Sequence, residues 1–196
     1  MSQTVDFFFD FVSPYSYLAH SQLSTLDADL VLRPMHVLSV MKAVGNTPTS
    51  VTCPPKGRYA GADLGRWAQR YQVALKAPDM RTLNNGACLR AVLATTSDSA
   101  RAATTTALFN ACWGEGKTLL TDEDAITVVA AAGIDTDGLS ERMASQAVTD
   151  QLEANNAEAA ERGVFGAPTF LVGKAMFFGN DRLDFLREHL AMETAA

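Results

Sequence analysis

Apolar residues at the start of the chain predict a strand, a helix and a second strand. Residues 4–11 are rich in Val and Phe and predict a buried β-strand. Apolar residues then recur at helical spacing over 14–26, and residues 29–37 predict a second strand that is broken or bent at Pro34. The connection has the length of a right-handed crossover between two parallel strands.

The middle of the chain has a different pattern. Residues 45–61 are rich in Pro, Thr and Gly and predict a loop. The Ala-rich stretch that follows lacks the alternation of a strand. It predicts six helices, near residues 62–72, 86–95, 98–113, 121–132, 138–144 and 148–162.

Strand patterns return near the end of the chain. Residues 169–172 and 175–178 are short apolar runs separated by two residues, Gly173 and Lys174, which predicts a β-hairpin. Residues 180–192 then predict a closing helix that begins with an N-cap.

The order β-α-β, helices, β-β-α predicts an α/β fold with a large all-helical insertion. We expect residues 1–45 and 163–196 to form one sheet domain, and residues 46–162 to form an inserted loop and helical domain.

Composition restricts the class of protein. The 196 residues carry a net charge of −6 without a dense block of Lys and Arg, which argues against nucleic acid as a partner. No apolar run approaches the roughly 20 residues of a membrane span, and the first residues lack the pattern of a secretory signal. The cysteines Cys53, Cys88 and Cys112 form neither a CxxC nor a zinc pattern. We therefore expect a cytoplasmic protein without membrane association or bound metal, in which the cysteines are packing residues.

Candidate chemistry begins where the first strand is followed by Ser13 and Pro14. A serine followed by proline fits the N-cap and first position of a helix, so a purely structural role is one interpretation. The other is a ligand site, because a loop from a strand into a helix start is where α/β folds bind ligands, and its free N–H groups favour an anion. No histidine is placed by spacing to act as a base for Ser13, which disfavours a hydrolase.

Two further loops are expected at the same end of the sheet. Gly166, Ala167, Pro168 and Thr169 precede a strand and form a plausible place for a cis peptide bond before Pro168. Residues 178–182 place polar groups at the start of the last helix, where an ordinary helix cap explains them equally well.

This order of elements resembles the thioredoxin-like fold of DsbA-type oxidoreductases. Those proteins carry CxxC at the start of the first helix, where this chain has the sequence SPYS, residues 13–16. A disulfide cannot cycle at that position. More narrowly, nearly the whole chain resembles the kappa-class glutathione transferases and 2-hydroxychromene-2-carboxylate isomerases. The segments that carry this resemblance are FDFVSPYSYLA (9–19), Lys42 with Gly45 and Asn46, PKGRY (55–59), DLGRWA (63–68), FNACWGEG (109–116), VFGAPT (164–169) and FGNDRL (178–183).

The resemblance implies glutathione as a cofactor. It implies that Ser13 is the catalytic residue, donating a hydrogen bond that favours the thiolate form of glutathione. The glutathione-binding residues implied by the resemblance are Ser13, Asn46, Lys56, Ala167, Pro168, Asn180 and Asp181. Asn180 and Asp181 would hold the γ-glutamyl end, and Ala167 would pair its main chain with the tripeptide.

The substrate side is less closely matched. The resemblance places Lys42 beside the substrate carboxylate, and Arg81 and Trp113 are further candidates, although Trp113 also fits a core aromatic residue. Residues 49–54 lack the Asn that several isomerases carry, and residues 79–82 contain no tyrosine.

The implied activity is glutathione-dependent interconversion of 2-hydroxychromene-2-carboxylate and trans-o-hydroxybenzylidenepyruvate, a step in bacterial breakdown of naphthalene-type aromatics. The FNACWGEG and FGNDRL segments look more like the isomerase branch. The resemblance also implies a homodimer. Two alternatives stay open: a kappa-like transferase or peroxidase that acts on other electrophiles, and a thioredoxin-like module that binds without catalysis.

Overall fold

A four-stranded mixed sheet lies at the centre of the structure, a computed structural model that describes residues 3–194. The strands are β1 (Thr4–Phe9), β2 (Asp29–Pro34), β3 (Thr169–Val172) and β4 (Ala175–Phe178). They lie in the order β2-β1-β3-β4, with β1 parallel to β2 and antiparallel to β3. β3 and β4 pair in an antiparallel hairpin. The predicted parallel β-α-β unit and the predicted hairpin are both confirmed.

Helices make up most of the remaining chain. The α-helices are α1 (Pro14–His20), α2 (Val37–Ala43), α3 (Thr49–Thr52), α4 (Pro54–Tyr71), α5 (Asn85–Leu93), α6 (Asp98–Phe109), α7 (Asp122–Ala131), α8 (Leu139–Met143), α9 (Gln146–Glu161) and α10 (Leu183–Thr194). Short 3-10 turns occur at Leu23–Thr25 and Asn180–Arg182, and a π-helical turn follows α6 at Asn110–Gly114. Within residues 3–194, no helix is both long and apolar enough to cross a bilayer.

The prediction of a loop at residues 45–61 is wrong, because α3 and residues 54–61 of α4 lie there. Pro54 and Pro55 occupy the first turn of α4, where proline costs no helical hydrogen bond. Gly57 allows the close approach of the two helices, since a Cβ at this position would lie 2.9 Å from the carbonyl oxygen of Ser50. The prolines therefore begin a helix and the glycine allows two helices to touch, so neither residue type marks a loop here.

Other predicted boundaries also differ, and the first strand ends at Phe9 rather than at residue 11. The first helix ends at His20, and the second strand ends at Pro34, with Val37 already in α2. Asn180 is not the N-cap of the last helix: it begins a 3-10 turn after Gly179, and its side chain is buried. A short turn that periodicity does not reveal ends the first helix and precedes the last, whereas the second strand ends because α2 begins at Val37.

The strand β1 is buried on both faces. Val5, Phe7 and Phe9 point into the larger core, which they share with helices α1, α5, α6 and α7. Phe8 points to the opposite side, into a smaller cluster with Met35 and Val164. The Phe7 ring stacks on both Phe9 and Phe170, with ring centroids 5.1 and 4.8 Å apart. A strand covered on both faces has a nearly continuous apolar sequence, which accounts for the Phe run.

The helical segment packs directly on this sheet. Helix α9 contacts α2 and β2, and Arg162 at its end pairs with Asp6 of β1 through an Nη1 to Oδ2 distance of 2.7 Å. Arg33 of β2 bonds the other oxygen of the same carboxylate at 2.9 Å. The division at residues 45/46 and 162/163 into two domains stays a prediction.

We predict that Phe7→Ala lowers the free energy of unfolding by about 3–5 kcal/mol, because it removes a fully buried ring from the aromatic stack. The control is Phe185→Ala, since the Phe185 side chain is 57% exposed and its loss should cost about 1 kcal/mol or less. Urea unfolding followed by circular dichroism measures both. Equal losses in the two variants would contradict this account of the core.

Candidate active site

Ser13 joins two loops that are far apart in sequence. It caps α1 in an extended conformation, and its Oγ accepts a hydrogen bond from the Ser16 N–H at 3.1 Å. The same hydroxyl donates to the carbonyl oxygen of Ala167 at 3.1 Å, across 154 residues of sequence. The capping role and the position beside a second loop are therefore both present.

The second loop contains a cis peptide bond between Ala167 and Pro168, as predicted. Asn46 lies against this loop and donates from Nδ2 to the carbonyl oxygen of Phe165 at 2.7 Å. At Gly166, a Cβ would lie 2.8 Å from the ring of Phe178, so that only glycine fits without movement of that ring. The structure thus brings Ser13, Asn46, Ala167 and Pro168 together.

The third loop lies beside α1. The 3-10 turn at Asn180–Arg182 contacts α1, and the carbonyl oxygen of Asn180 accepts a hydrogen bond from the Tyr71 hydroxyl at 2.9 Å. The Nδ2 atom of Asn180 is buried and has no hydrogen-bond partner among residues 3–194. Asp181 pairs with Arg182 through an Oδ2 to Nη1 distance of 2.7 Å. A buried amide without a well-formed hydrogen bond is unusual in a folded protein, and the Tyr71 hydroxyl is the polar group beside it.

A tyrosine and a carboxylate at this end of α1 were missed as functional candidates. The Tyr15 hydroxyl donates to Oδ2 of Asp63 on α4 at 3.3 Å. Burial raises the pKa of Tyr15 to about 12, with further contributions from the charges of Asp63 and Asp181. Tyr15 is therefore a neutral donor across the physiological range. Both residues lie in segments that carry the family resemblance, but nothing in their spacing indicates that they pair.

Asp10, at the end of β1, was also missed. Its side chain is 1% exposed, and its two carboxylate oxygens accept the N–H groups of Val12 at 3.2 Å and Val37 at 2.8 Å. Its own carbonyl oxygen accepts the N–H of Ser13 at 3.1 Å. The available signal was one carboxylate within an otherwise apolar run, which is rare unless the carboxylate has partners. Asp10 holds the loop that presents Ser13.

Burial raises the pKa of Asp10 from its ordinary value of 3.8 to about 6. Hydrogen bonds from the N–H groups of Val37 and Val12 and from the side chain of Asn85 oppose this change, because they favour the charged form. Desolvation is the larger effect, so the carboxyl group titrates within the weakly acidic range.

The predicted lysines are exposed. Lys42 lies in the last turn of α2, four residues before Asn46. Lys56 lies in the first turn of α4, and its Nζ is 3.3 Å from Oγ1 of Thr49. Both are free to move toward an anion, since their only constraints are exposed and weak.

Neither Arg81 nor Trp113 presents a side chain that is free to bind a ligand at the Ser13 loops. Arg81 is 88% exposed, and its guanidinium forms two hydrogen bonds of 2.9 Å with Asp79. Trp113 is 4% exposed, and its indole N–H donates to the carbonyl oxygen of Phe11 at 2.7 Å. Trp113 therefore supports the loop between β1 and α1 from the core side, and a substrate role for either residue stays a prediction.

The cysteines do not form a disulfide among themselves. Cys88 and Cys112 are buried and Cys53 is partly exposed, and all three are free thiols. Residues 3–194 contain no cluster of three or more His, Cys, Asp or Glu side chains that could hold a metal ion.

Comparison with known proteins agrees with this geometry. The DSBA-like thioredoxin domain family matches residues 4–191. A 2-hydroxychromene-2-carboxylate isomerase of Sphingobium xenophagum is 36% identical over 195 residues, which cover 97% of this chain and 99% of the relative. The human glutathione S-transferase kappa 1 is 27% identical over 205 residues, covering 95% of this chain and 90% of the relative. A solved structure of 2-hydroxychromene-2-carboxylate isomerase superimposes with a TM-score of 0.87 at 34% identity, covering 97% and 96% of the two chains.

We predict that the stability difference between the wild type and Asp10→Asn depends on pH. The folded pKa of Asp10 lies above 3.8, so the folded state binds this proton more tightly than the unfolded state, and stability falls as pH rises from about 4 to about 6. This pKa shift corresponds to a loss of about 3 kcal/mol in the free energy of unfolding of the wild type, and the Asp10→Asn variant does not show that loss. Urea unfolding at several pH values measures the difference.

Asp124→Asn serves as the control with the opposite sign. Hydrogen bonds from the N–H groups of Leu120 and Thr121 lower the pKa of the partly exposed Asp124, so its contribution is lost as pH falls. A wild-type to Asp10→Asn difference that stays constant from pH 4 to pH 7 would refute the proposed titration of Asp10.

Proposed function

Because the chain belongs to the DSBA-like thioredoxin family and, within it, to the 2-hydroxychromene-2-carboxylate isomerase family, we propose that it is a glutathione-dependent isomerase. Its reaction interconverts 2-hydroxychromene-2-carboxylate and trans-o-hydroxybenzylidenepyruvate. The observation that carries this proposal is the Ser13 hydroxyl, a donor that lies 3.1 Å from the carbonyl oxygen of Ala167 before a cis proline. A hydroxyl here can donate a hydrogen bond to the thiolate of another molecule, whereas a cysteine would itself provide the thiolate.

The proposed role of Ser13 is to hold that thiolate. Its single hydroxyl hydrogen bonds to Ala167 in this structure, and it turns to the sulfur when glutathione binds. The N–H of Ser16 continues to bond Oγ and fixes the oxygen atom during this rotation. Each pH unit by which the thiol pKa falls corresponds to about 1.4 kcal/mol of preference for the thiolate.

The same rotation releases a main-chain acceptor. The carbonyl oxygen of Ala167 then becomes available to an N–H of the tripeptide, in the manner of an added strand. Pro168 holds this carbonyl in place through the cis bond. One donor is thus exchanged for another, and no buried polar group loses its partner.

The two ends of glutathione meet opposite charges. Asp181 suits the ammonium of the γ-glutamyl group, and the unpaired Nδ2 of Asn180 suits its carboxylate. Lys56 suits a carboxylate as a mobile point charge, and Asn46 fixes the cis-proline loop through Phe165.

Bound glutathione supplies a thiolate that adds reversibly to the conjugated double bond of the opened substrate, which lets that bond rotate before elimination restores it. Lys42 is proposed to pair with the substrate carboxylate and with negative charge that develops on the neighbouring oxygen. Arg81 and Trp113 remain proposed substrate-side residues, with Trp113 acting from the core. We place the reaction in cytoplasmic breakdown of aromatic compounds and propose that the protein acts as a homodimer.

A kappa-like transferase is the second candidate function, favoured by the similarity to the human kappa-class enzyme. A transferase consumes glutathione, whereas an isomerase returns it. The two functions therefore differ in the balance of free thiol at the end of the reaction.

The first experiment follows the ultraviolet spectrum of 2-hydroxychromene-2-carboxylate with the protein, with and without catalytic glutathione. We expect a rapid spectral change only with glutathione, and no loss of free thiol. Isomerisation that is independent of glutathione would reject the proposal. Thiol consumption with 1-chloro-2,4-dinitrobenzene, without isomerisation, would select the transferase.

We predict that Ser13→Ala lowers kcat/KM by about a hundredfold, as expected for loss of one donor to a developing or bound anion. It should also raise the pKa of bound glutathione by about one to two units, measured from thiolate absorbance against pH. Ser140→Ala, at an exposed serine on α8, is the control and should change neither value. A Ser13→Ala variant with normal thiol pKa would show that Ser13 is only a helix cap.

A further inference from the structure

A cavity of about 530 Å³ lies at the opposite end of α1 from Ser13. Its walls are formed by the last turn of α1, the 3-10 turn at Leu23–Thr25, the strand β2 and the helix α6. The volume lies within the range of small-molecule sites. None of the residues assigned above to glutathione or substrate lines this cavity.

Arg101 supplies the only positive charge that lines the cavity among residues 3–194. Its Nε is buried and has no hydrogen-bond partner in the described chain. Its Nη1 reaches Oδ1 of Asp98 at 3.5 Å, and the Asp98 side chain is fully exposed to water. The Nε and Nη2 edge of the guanidinium is thus left without a partner, and this edge matches the two oxygens of a carboxylate.

Asp98 also lines the cavity, and the other lining residues are apolar or neutral polar groups. Leu23, Leu30, Leu32 and Val73 provide apolar wall. His20 lies 3.3 Å from Oγ1 of Thr106 through Nε2, and burial lowers the pKa of His20 to about 4. The imidazole is therefore neutral at physiological pH and does not compete with Arg101 for an anion.

Asn110 adds a second observation. It lines the cavity and begins the π-helical turn Asn110–Gly114, a type of turn that is frequent at functional sites. It also begins the segment NACWGEG, residues 110–116, of which Trp113 alone has a role in the proposed mechanism above. Its side-chain amide can donate to or accept from a ligand in the cavity.

We propose that this cavity is a second binding site, which takes a small carboxylate with an aromatic or branched apolar body. The carboxylate binds the Nε and Nη2 edge of Arg101, and the apolar body lies against Leu23, Leu30 and Leu32. Asp98 competes weakly with the ligand for the guanidinium. The proposal does not depend on the isomerase activity, since it uses different residues.

The test is titration of the 15N-labelled protein with 1-naphthoate, followed by backbone amide shifts. We expect saturable shifts in residues 20–32 and 98–110, with about tenfold weaker binding of the neutral 1-naphthamide. Arg101→Gln should weaken naphthoate binding about tenfold, and Asp98→Asn should strengthen it a few fold by removing the competing carboxylate.

Two controls separate this site from its surroundings. Arg66 pairs with Asp63 at the same i,i+3 spacing as Arg101 with Asp98, but it lies near the other end of α1. Arg66→Gln should therefore leave these shifts unchanged. Ser13→Ala should leave them unchanged too. Shifts centred on residues 10–16 and 165–168, equal binding by Arg101→Gln, or absence of saturation would each overturn the proposal. If Arg101→Gln does not fold, unchanged binding by Asp98→Asn still overturns it.

Discussion

The buried carboxyl group of Asp10 is the interaction on which the site depends. It ends the buried strand β1 and binds the N–H groups of Val12 and Val37, so one side chain fixes both the loop before α1 and the start of α2. Its main-chain oxygen binds Ser13 directly. A carboxylate in an apolar core is unfavourable, and the raised pKa records that cost. The chain tolerates it because the N–H groups at this turn would otherwise be buried without acceptors.

Around that point, the sheet brings distant segments together. Because β3 pairs with β1 in antiparallel order, the cis-proline loop that precedes β3 reaches the loop that follows β1. The Ser13 to Ala167 hydrogen bond is the result. Replacement of a cysteine by serine at such a position keeps the helix start and the cis-proline loop but removes the redox chemistry. The role proposed above for this arrangement is to stabilise a thiol that another molecule brings.

The short helix α1 links two regions of different chemistry. The start of the helix carries Ser13 and Tyr15 and lies beside the loops proposed to hold glutathione. Its last turn borders the cavity that contains Arg101. The helical insertion contributes to both regions, since α4 supplies Asp63 near Tyr15 and α6 supplies Arg101. The helices of the insertion therefore contribute side chains to both regions, in addition to covering the thioredoxin-like sheet.

The sequence by itself determined the strands, the hairpin around Gly173, most helices and the segments that resemble the isomerase family, because periodicity, turn residues and motif order are local properties. Only the tertiary structure decided that residues 54–61 are helical, that Tyr15 pairs with Asp63, that Asn180 is buried, and that Trp113 supports Phe11 from the core. These features depend on which surfaces meet across long sequence separations. Burial and pairing of that kind set the pKa of Asp10 and the shape of the Arg101 cavity, and no local pattern encodes them.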